Sequence, residues 1–380
     1  YLKGNRGYFG EDSTSGWTML TTRDHLHFTE SPTGIRGGTG SVLLVDENDR
    51  PGGQLFKQIH KFFGSRDHYA GTRGFQIGRQ LLEEAEEAKV EIRLSTRVWG
   101  VFPDGSISAC TNSESFRCHG KYLILATGAS ENSLVFPGNT LPGVITAGAA
   151  QTMVNLRHVR PGSRAVVVGS GNVGLIVTYQ LLQAGMDVAA ILEAAPNVTG
   201  YAVHAGKVRR AGVPIRCSHT VVEARGEREL EEVVIAQVDE KFRPIAGTEE
   251  VIQADTLCIS VGLTPRTELA ALCGCRMDFC GPLGGRIPAH NEELETSCPG
   301  VLIAGDLSGI EEASTALDEG RLAGVHAAAK LGILSPEESR AREAEIQTRI
   351  AALRQGQFGQ KRQTSKEQIW QRYHAQQGGT

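Results

Sequence analysis

"AVVVGSGNVGLIVTYQLLQAGMDVAAILEAA", residues 165–195, decides the fold. The apolar run ending at Val168 reads as a buried strand, Gly169 to Gly174 as a turn, and the stretch up to Gly185 as an apolar helix. A second strand then closes on Glu193. Gly169-Ser170-Gly171-Asn172-Val173-Gly174 matches G-x-G-x-x-G between a strand and a helix, with Glu193 nineteen residues past the last glycine. The glycines have separate tasks: a tight turn, approach of a pyrophosphate to bare backbone, and close helix–strand packing. Amides at the helix start would hold the pyrophosphate, helped by the helix dipole. Glu193 is placed to accept from a ribose 2′-hydroxyl and to repel a 2′-phosphate. That favours NAD over NADP, with Arg209 and Arg210 as the counterweight. A glycine turn that serves packing alone is the competing reading.

The chain then repeats itself. After Glu193 come "VPIRCSHTVVEARG", "LEEVVIAQVDE" and "ADTLCISVG", alternating strands that end in one running into Gly262. Earlier, "SVLLVDENDRPGGQ" (residues 41–54) ends a strand on Asp46 and Glu47. It is followed by "VEIRLSTRVWGVF", "ISACTNSESFRC" and "KYLILATGA", the last exiting through Thr127 and Gly128. Two related nucleotide-binding units follow from this order. Gly169 lies 24 residues before Glu193, so the first copy should carry its first loop glycine 24 before Asp46, at position 22. Thr22, Asp24 and His27 stand at the three glycine positions, and none can serve. Residues 28–40, "FTESPTGIRGGTG", lack helical periodicity, and "GGTG" at 37–40 opens no helix. The first βα half-unit is therefore read as missing or replaced, through an altered reading frame, a fused fragment or a diverged front.

Composition narrows the partners. The chain has 380 residues, 39 basic and 43 acidic, for a net charge of -4. It offers no basic footprint for nucleic acid and no membrane patch. No apolar run approaches the roughly 20 residues of a membrane helix, and no signal peptide is evident, so a cytoplasmic protein is expected. Eight irregularly spaced cysteines argue for free thiols. Cys273-x-Cys275-x4-Cys280 has a redox-pair spacing but follows the second exit glycine, and Cys298 is too distant in sequence to convince as a further metal ligand. No metal is expected.

Two more segments complete the pattern. "GVLIAGDLSGIEEASTALDEGRLAG" (300–324) delivers Gly305 and Asp306 from a strand, followed by a helix starting near residues 311–315. Its N-terminal amides would favour negative charge beside them. Between Asp46 and Val90 about 24 residues exceed the equivalent span of the second copy, roughly "LFKQIHKFFGSRDHYAGTRGFQIG". His60, Lys61, Arg66 and His68 within them are candidates for an anionic substrate, with solvated surface cations as the alternative.

These motifs in this order resemble the two-dinucleotide flavoprotein reductases, with their glutathione-reductase-like pair of Rossmann domains. The combination is similar to the FAD-dependent, NAD(P)-binding proteins related to the alpha subunits of sarcosine, opine and hydroxyproline dehydrogenases and to a hydrogen cyanide synthase subunit. The stretches that carry it are "DENDRPGGQLFKQIHKFFGS", "FPGNTLPGVITAGAAQTMVN" and "GDLSGIEEASTALDEGRLAG", and it covers about residues 41 to 360. The resemblance implies an α/β flavoprotein oxidoreductase binding FAD and NAD. Its expected plan is an atypical segment 1–40, an FAD domain at 41–150 and 255–335, an NAD domain at 151–254 and a helical tail at 336–380. The resemblance implies cofactor contacts at Asp46, Glu47, Gly52, Gly53, Gln54, Thr127, Gly128, Gly305 and Asp306, besides Gly169, Gly171, Asn172, Gly174 and Glu193. Disulfide reductases of this fold need a cysteine pair beside the flavin, which the spacing does not supply. The resemblance implies that hydride passes between nicotinamide and flavin, or from an amine or amino-acid-like substrate to flavin. The expected partners are a small-molecule substrate and either further copies of this chain, in a homo-oligomer, or a partner dehydrogenase subunit. The alternative is a non-catalytic NAD-binding subunit or remnant. No catalytic residue is assigned.

Overall fold

Thr22 pairs with Asp46 on one side and with Ala126 on the other. The computed structural model describes residues 16–22, 40–62, 65–102 and 105–377, and within it the strand Gly16–Thr22 lies in the middle of a parallel sheet. Sequence patterning leads to no strand before residue 41. "GWTMLTT" is nonetheless a run of aromatic, apolar and β-branched residues suited to a central strand, and what hides it is the lack of a glycine turn after it. The register supports the spacing argument. Thr21 pairs with Val45 as Val168 pairs with Leu192, which puts Thr22 at the place of Gly169. Residues 37–39 of the "GGTG" stretch and the positions Asp24 and His27 lie outside the described residues.

The chain divides into two compact units, residues 1–130 with 264–380, and residues 131–263. In the first, a seven-stranded sheet places Gly16–Thr22 between Gly40–Asp46 and Ser115–Ala126. Glu91–Arg93 extends one side in parallel and Val301–Ile303 pairs in parallel with Ser115–Ala126. The strands Arg97–Val101 and Ser106–Cys110 add an antiparallel flap. One face buries Leu44, Leu55, Ile77, Leu81 and Leu317, the other Leu43, Val45, Leu125 and Ile303. Alternate residues of one strand thus serve opposite faces, as a sheet covered on both sides requires.

The second unit repeats the plan. Its parallel strands run in the spatial order Ile215–Cys217, Asp187–Glu193, Arg164–Val168, Thr256–Ile259 and Val144–Thr146, beside an antiparallel three-stranded sheet. Because Val144–Thr146 pairs with Thr256–Ile259, this unit begins before residue 151, the start expected from the sequence.

Two long helices, Pro336–Leu353 and Gly356–Gln377, follow the helix Ala313–Lys330. The first is entered through a capping box, with Ser335 Oγ accepting from the Glu338 amide and Pro336 in the first turn. His326 fixes it to the preceding helix. Its ring contacts Glu343 at 3.1 Å and Glu295 at 2.9 Å. Burial pulls the imidazole down, but the two carboxylates outweigh it and raise its pKa. Its hydrogen bond, set against burial, takes Glu295 to about 2. The sign is then fixed. The histidine contribution is complete below its ordinary value of 6.5 and is lost as pH rises through the raised value; the Glu295 contribution is complete above 4.5 and is lost as pH falls toward 2. Replacing His326 by Gln should therefore lower the urea midpoint most between about pH 5 and 6, and the deficit should shrink at alkaline pH. An equal deficit at about pH 5.5 and pH 9 would refute this account.

Candidate functional site

The glycine loop of the second unit is shaped by backbone contact. Gly169 has φ +103, and a β-carbon on it would fall 2.0 Å from the Ser260 carbonyl oxygen. A β-carbon on Gly174 would fall 2.1 Å from the Gly169 carbonyl oxygen. Both glycines are therefore enforced by packing. Gly171 differs: nothing lies within 4 Å of its missing side chain. It caps the helix Asn172–Gln183, so bare backbone borders open space at the helix start. That is the cradle a pyrophosphate requires, and the residues fit the group.

Glu193 does more than end a strand. It is buried, and its Oε2 accepts from the Ser170 amide at 3.0 Å, Ser170 Oγ at 2.6 Å and Thr199 Oγ1 at 3.0 Å. Its Oε1 accepts from the Ala195 amide at 2.9 Å. The acid thus holds the glycine loop to the strand end, a duty that spacing alone does not reveal. Asn172 Oδ1 accepts from the Tyr201 amide at 2.8 Å and fixes the opposite lip. Arg209 and Arg210 occupy the last turn of Ala202–Arg210, exposed, and the loop 194–200 that follows Glu193 carries no cation.

In the first unit, Asp46 is buried at its strand end, with Oδ1 accepting from the Asn48 backbone and side-chain amides at 2.9 and 2.8 Å. Glu47 stays half-buried at 3.6 Å from Arg97. Gly52 and Gly53 take positive φ and lead Gln54 into a 3-10 turn that buries Leu55. Thr127 donates its hydroxyl to the Arg266 carbonyl at 2.6 Å, and the Arg266 amide returns a bond to the Gly128 carbonyl at 2.9 Å. This clasp sets the strand exit, where Gly128 turns with φ +66. The helix after Gly305 and Asp306 begins at Ala313, inside the expected window.

Beneath Gly305 lies a group of buried charges. Glu319 accepts from the Gly305 amide at 3.0 Å and Ser308 Oγ at 2.6 Å through Oε2, and from Lys366 Nζ at 3.0 Å and Arg354 at 2.9 Å through Oε1. Arg354 also grips Glu311 with two bonds, at 2.6 and 3.0 Å. Lys366 is wholly buried. Burial pushes the Glu319 carboxyl up, but Lys366 and Arg354 outweigh it and hold it below the usual carboxylate range. Lys366 also donates to the Ser308 carbonyl at 3.0 Å. The C-terminal helices thus lock the loop carrying Asp306.

The added segment after Gln54 separates the four candidate anion ligands. His68 is buried, 2.8 Å from Asp318, with Ser65 Oγ 2.9 Å from its other nitrogen, and so pins the segment to Ala313–Lys330. Arg66 instead lines a pocket of about 320 Å³ with Arg321, Arg342 and Arg349. Lys61 stands apart, bridged through its backbone to Arg73, and His60 stacks on Phe62. The cysteines are sorted differently from their spacing. Cys280 packs with Leu283, Ile287 and Ile369, whereas Cys273 and Cys275 meet Cys298.

Two parallel-sheet units, each ending a strand on an acid and returning through an exit glycine, define a flavoprotein oxidoreductase with paired dinucleotide folds. Residues 33–320 match the model of the pyridine nucleotide-disulphide oxidoreductases, and the chain belongs to that family of FAD- and NAD(P)-dependent oxidoreductases. It is 30% identical to the hydrogen cyanide synthase subunit HcnB of Pseudomonas aeruginosa, over 85% of this chain and 73% of that one. It is likewise 30% identical to one of the subunits of the opine oxidase of Rhizobium meliloti, over 81% of this chain and 71% of the relative. In fold it is similar to the thioredoxin reductase of T. acidophilum, with a TM-score of 0.66 at 19% identity, covering 82% of this chain and 98% of that one. Among the described residues no helix is long and apolar enough to cross a membrane.

Three substitutions test these assignments. Gly174→Ala should strain the loop by about 1–3 kcal/mol and weaken NADH binding at least tenfold by fluorescence titration, with circular dichroism little changed. Lys366→Met should destabilise the protein by about 3–5 kcal/mol in urea, because Glu319 loses a buried partner. The Lys366→Met/Glu319→Gln pair should cost less than the sum of its singles, since it restores charge balance. Additive losses would contradict the coupling.

Proposed function

We propose that this chain is the flavin- and nucleotide-binding subunit of an enzyme that oxidises a carbon–nitrogen bond in an amine or amino-acid-like small molecule. The observation that carries this reading is the open Gly171 cradle held by Glu193, in a chain 30% identical both to an opine oxidase component and to a hydrogen cyanide synthase component. Both relatives are named as subunits, which supports a partner chain here.

The helix start at Asn172, with Gly169, Gly171 and Gly174, would hold the pyrophosphate of the nicotinamide nucleotide. Glu193 Oε1, which already accepts from the Ala195 amide, would accept a second bond from a ribose hydroxyl while Oε2 holds the loop. With no cation in the 194–200 loop, a 2′-phosphate would meet an uncompensated carboxylate, which favours NAD over NADP. In the first unit Asp46, Glu47, Gly52, Gly53 and Gln54 would flank the adenosine side of FAD, and Thr127, Gly128, Gly305 and Asp306 its centre. The first amides of Ala313–Lys330 would favour negative charge nearby. FAD, when bound, supplies two-electron chemistry, taking up a hydride and yielding it again.

The purified chain should be mixed with FAD and its visible spectrum recorded anaerobically, before and after NADH or an N-carboxyalkyl amino acid. Near-stoichiometric flavin absorbance that bleaches with either reductant supports the reading. A colourless protein that still binds NADH overturns it in favour of a non-catalytic nucleotide-binding subunit. NADH should bind at least about tenfold more tightly than NADPH, a difference near 1.4 kcal/mol.

A further inference from the structure

Three thiols from two separate turns of the first unit meet at one point. Cys273 caps the helix Glu268–Leu272, Cys275 follows two residues later, and Cys298 lies in the turn before the strand Val301–Ile303. Gly274 makes the meeting possible. Its φ of +84 turns the chain so that both flanking side chains reach one side, and a β-carbon there would lie 3.9 Å from Cys298 Sγ. Cys273 Sγ is 3.4 Å from Cys275 Sγ, and all three sulfurs lie within 4.8 Å of one another. Cys273 and Cys275 are buried, while Cys298 is half-buried and gives the cluster its access to solvent.

We propose that Cys273, Cys275 and Cys298 form a binding site for one thiophilic d10 cation of the Cu(I) or Zn(II) kind. Metal–sulfur bonds of about 2.3 Å in a trigonal or tetrahedral arrangement set sulfurs roughly 4 Å apart, within the spread seen here. The sulfur–sulfur distances would need to change by no more than about an ångström. Among the described residues no histidine or carboxylate joins the trio, so the donor set is all sulfur. Sulfur alone selects soft cations and rejects magnesium and calcium. A three-coordinate cation needs nothing more; a four-coordinate one would add water on the Cys298 side.

Binding is acid–base chemistry without electron transfer. Each S–H bond that breaks gives its proton to solvent, and each sulfur pair forms a bond to the cation, so up to three protons leave per ion. The weak contacts now made would be exchanged, namely Cys275 Sγ with Thr296 Oγ1 at 3.3 Å and Cys298 Sγ with the Cys273 carbonyl at 3.1 Å. The occupied site would tie the Cys273 turn to the segment that feeds Val301–Ile303 and then Gly305. A core of ordinary thiols is the alternative, and the same experiment separates it.

The full chain, reduced and metal-free, should be titrated anaerobically with Cu(I) buffered by a competing chelator, and separately with Zn(II) and with Cd(II) as an ultraviolet reporter. One equivalent should bind, with sulfur-to-metal charge-transfer absorbance, proton release and a higher Tm. Saturation by Cu(I) or by Zn(II) identifies the cation, and either outcome supports the site. Cys273→Ser, Cys275→Ser and Cys298→Ser should each weaken binding at least tenfold, while Cys280→Ser leaves it unchanged. Alkylation mapped by mass spectrometry needs no variant: the cation should protect Cys298 in the native chain. No saturable binding, equal loss with Cys280→Ser, or unprotected Cys298 would each overturn the proposal.

Discussion

The carboxylate of Glu319 has no useful access to water, so every lone pair it keeps must be met by the protein. Four donors meet it, from Gly305, Ser308, Arg354 and Lys366. An isolated charge there would be ruinous. With Glu311 the four ionic groups balance, two positive against two negative, and the arrangement is tolerable because its hydrogen bonds are made. Its value lies in definition more than in net stability. The loop bearing Gly305 and Asp306 is held by a side chain that has only one place to go, which is how a binding loop is preorganised on rigid elements.

The second unit solves the same problem with different parts. There the acid comes from a strand end, and Glu193 holds the Ser170 amide and hydroxyl as Glu319 holds the Gly305 amide and Ser308 hydroxyl. In both, a serine inside a glycine-containing turn donates to a buried acid. A glycine loop is otherwise entropically expensive to order. A short acid–serine bond supplies the order without a side chain intruding where a ligand must approach.

How much of this can be read in the residues follows from the range of each interaction. The βαβ front at 165–193 is legible because its contacts are local and its glycines answer backbone collisions. The spacing from loop to acid is legible even where the loop is not, since the register puts Thr22 where the arithmetic does. The strand Gly16–Thr22 escapes notice because only its distant partners mark it as central. Lys366 is hidden for a related reason: in "SKEQIWQRYHAQ" it reads as one more surface cation, and nothing nearby tells of an acid 47 residues earlier. Cys298 is dismissed on sequence distance, which a pair of turns abolishes. Arg266, clasping Thr127 and Gly128, leaves no sequence signal at all.

Lys366 also sets a timetable. Translation yields residues 131–263 as one uninterrupted stretch, free to fold as soon as it leaves the ribosome. The other unit cannot finish. Its strand Ser115–Ala126 must wait for Val301–Ile303, and the Gly305 loop must wait for Lys366. At roughly 5–20 residues per second the interval from Ala126 to Ile303 is about 9 to 35 seconds, during which an unpaired sheet edge stands exposed. Nascent chains of this kind lean on chaperones, and their yield in a foreign host should respond to growth temperature and elongation rate as strongly as to any single substitution.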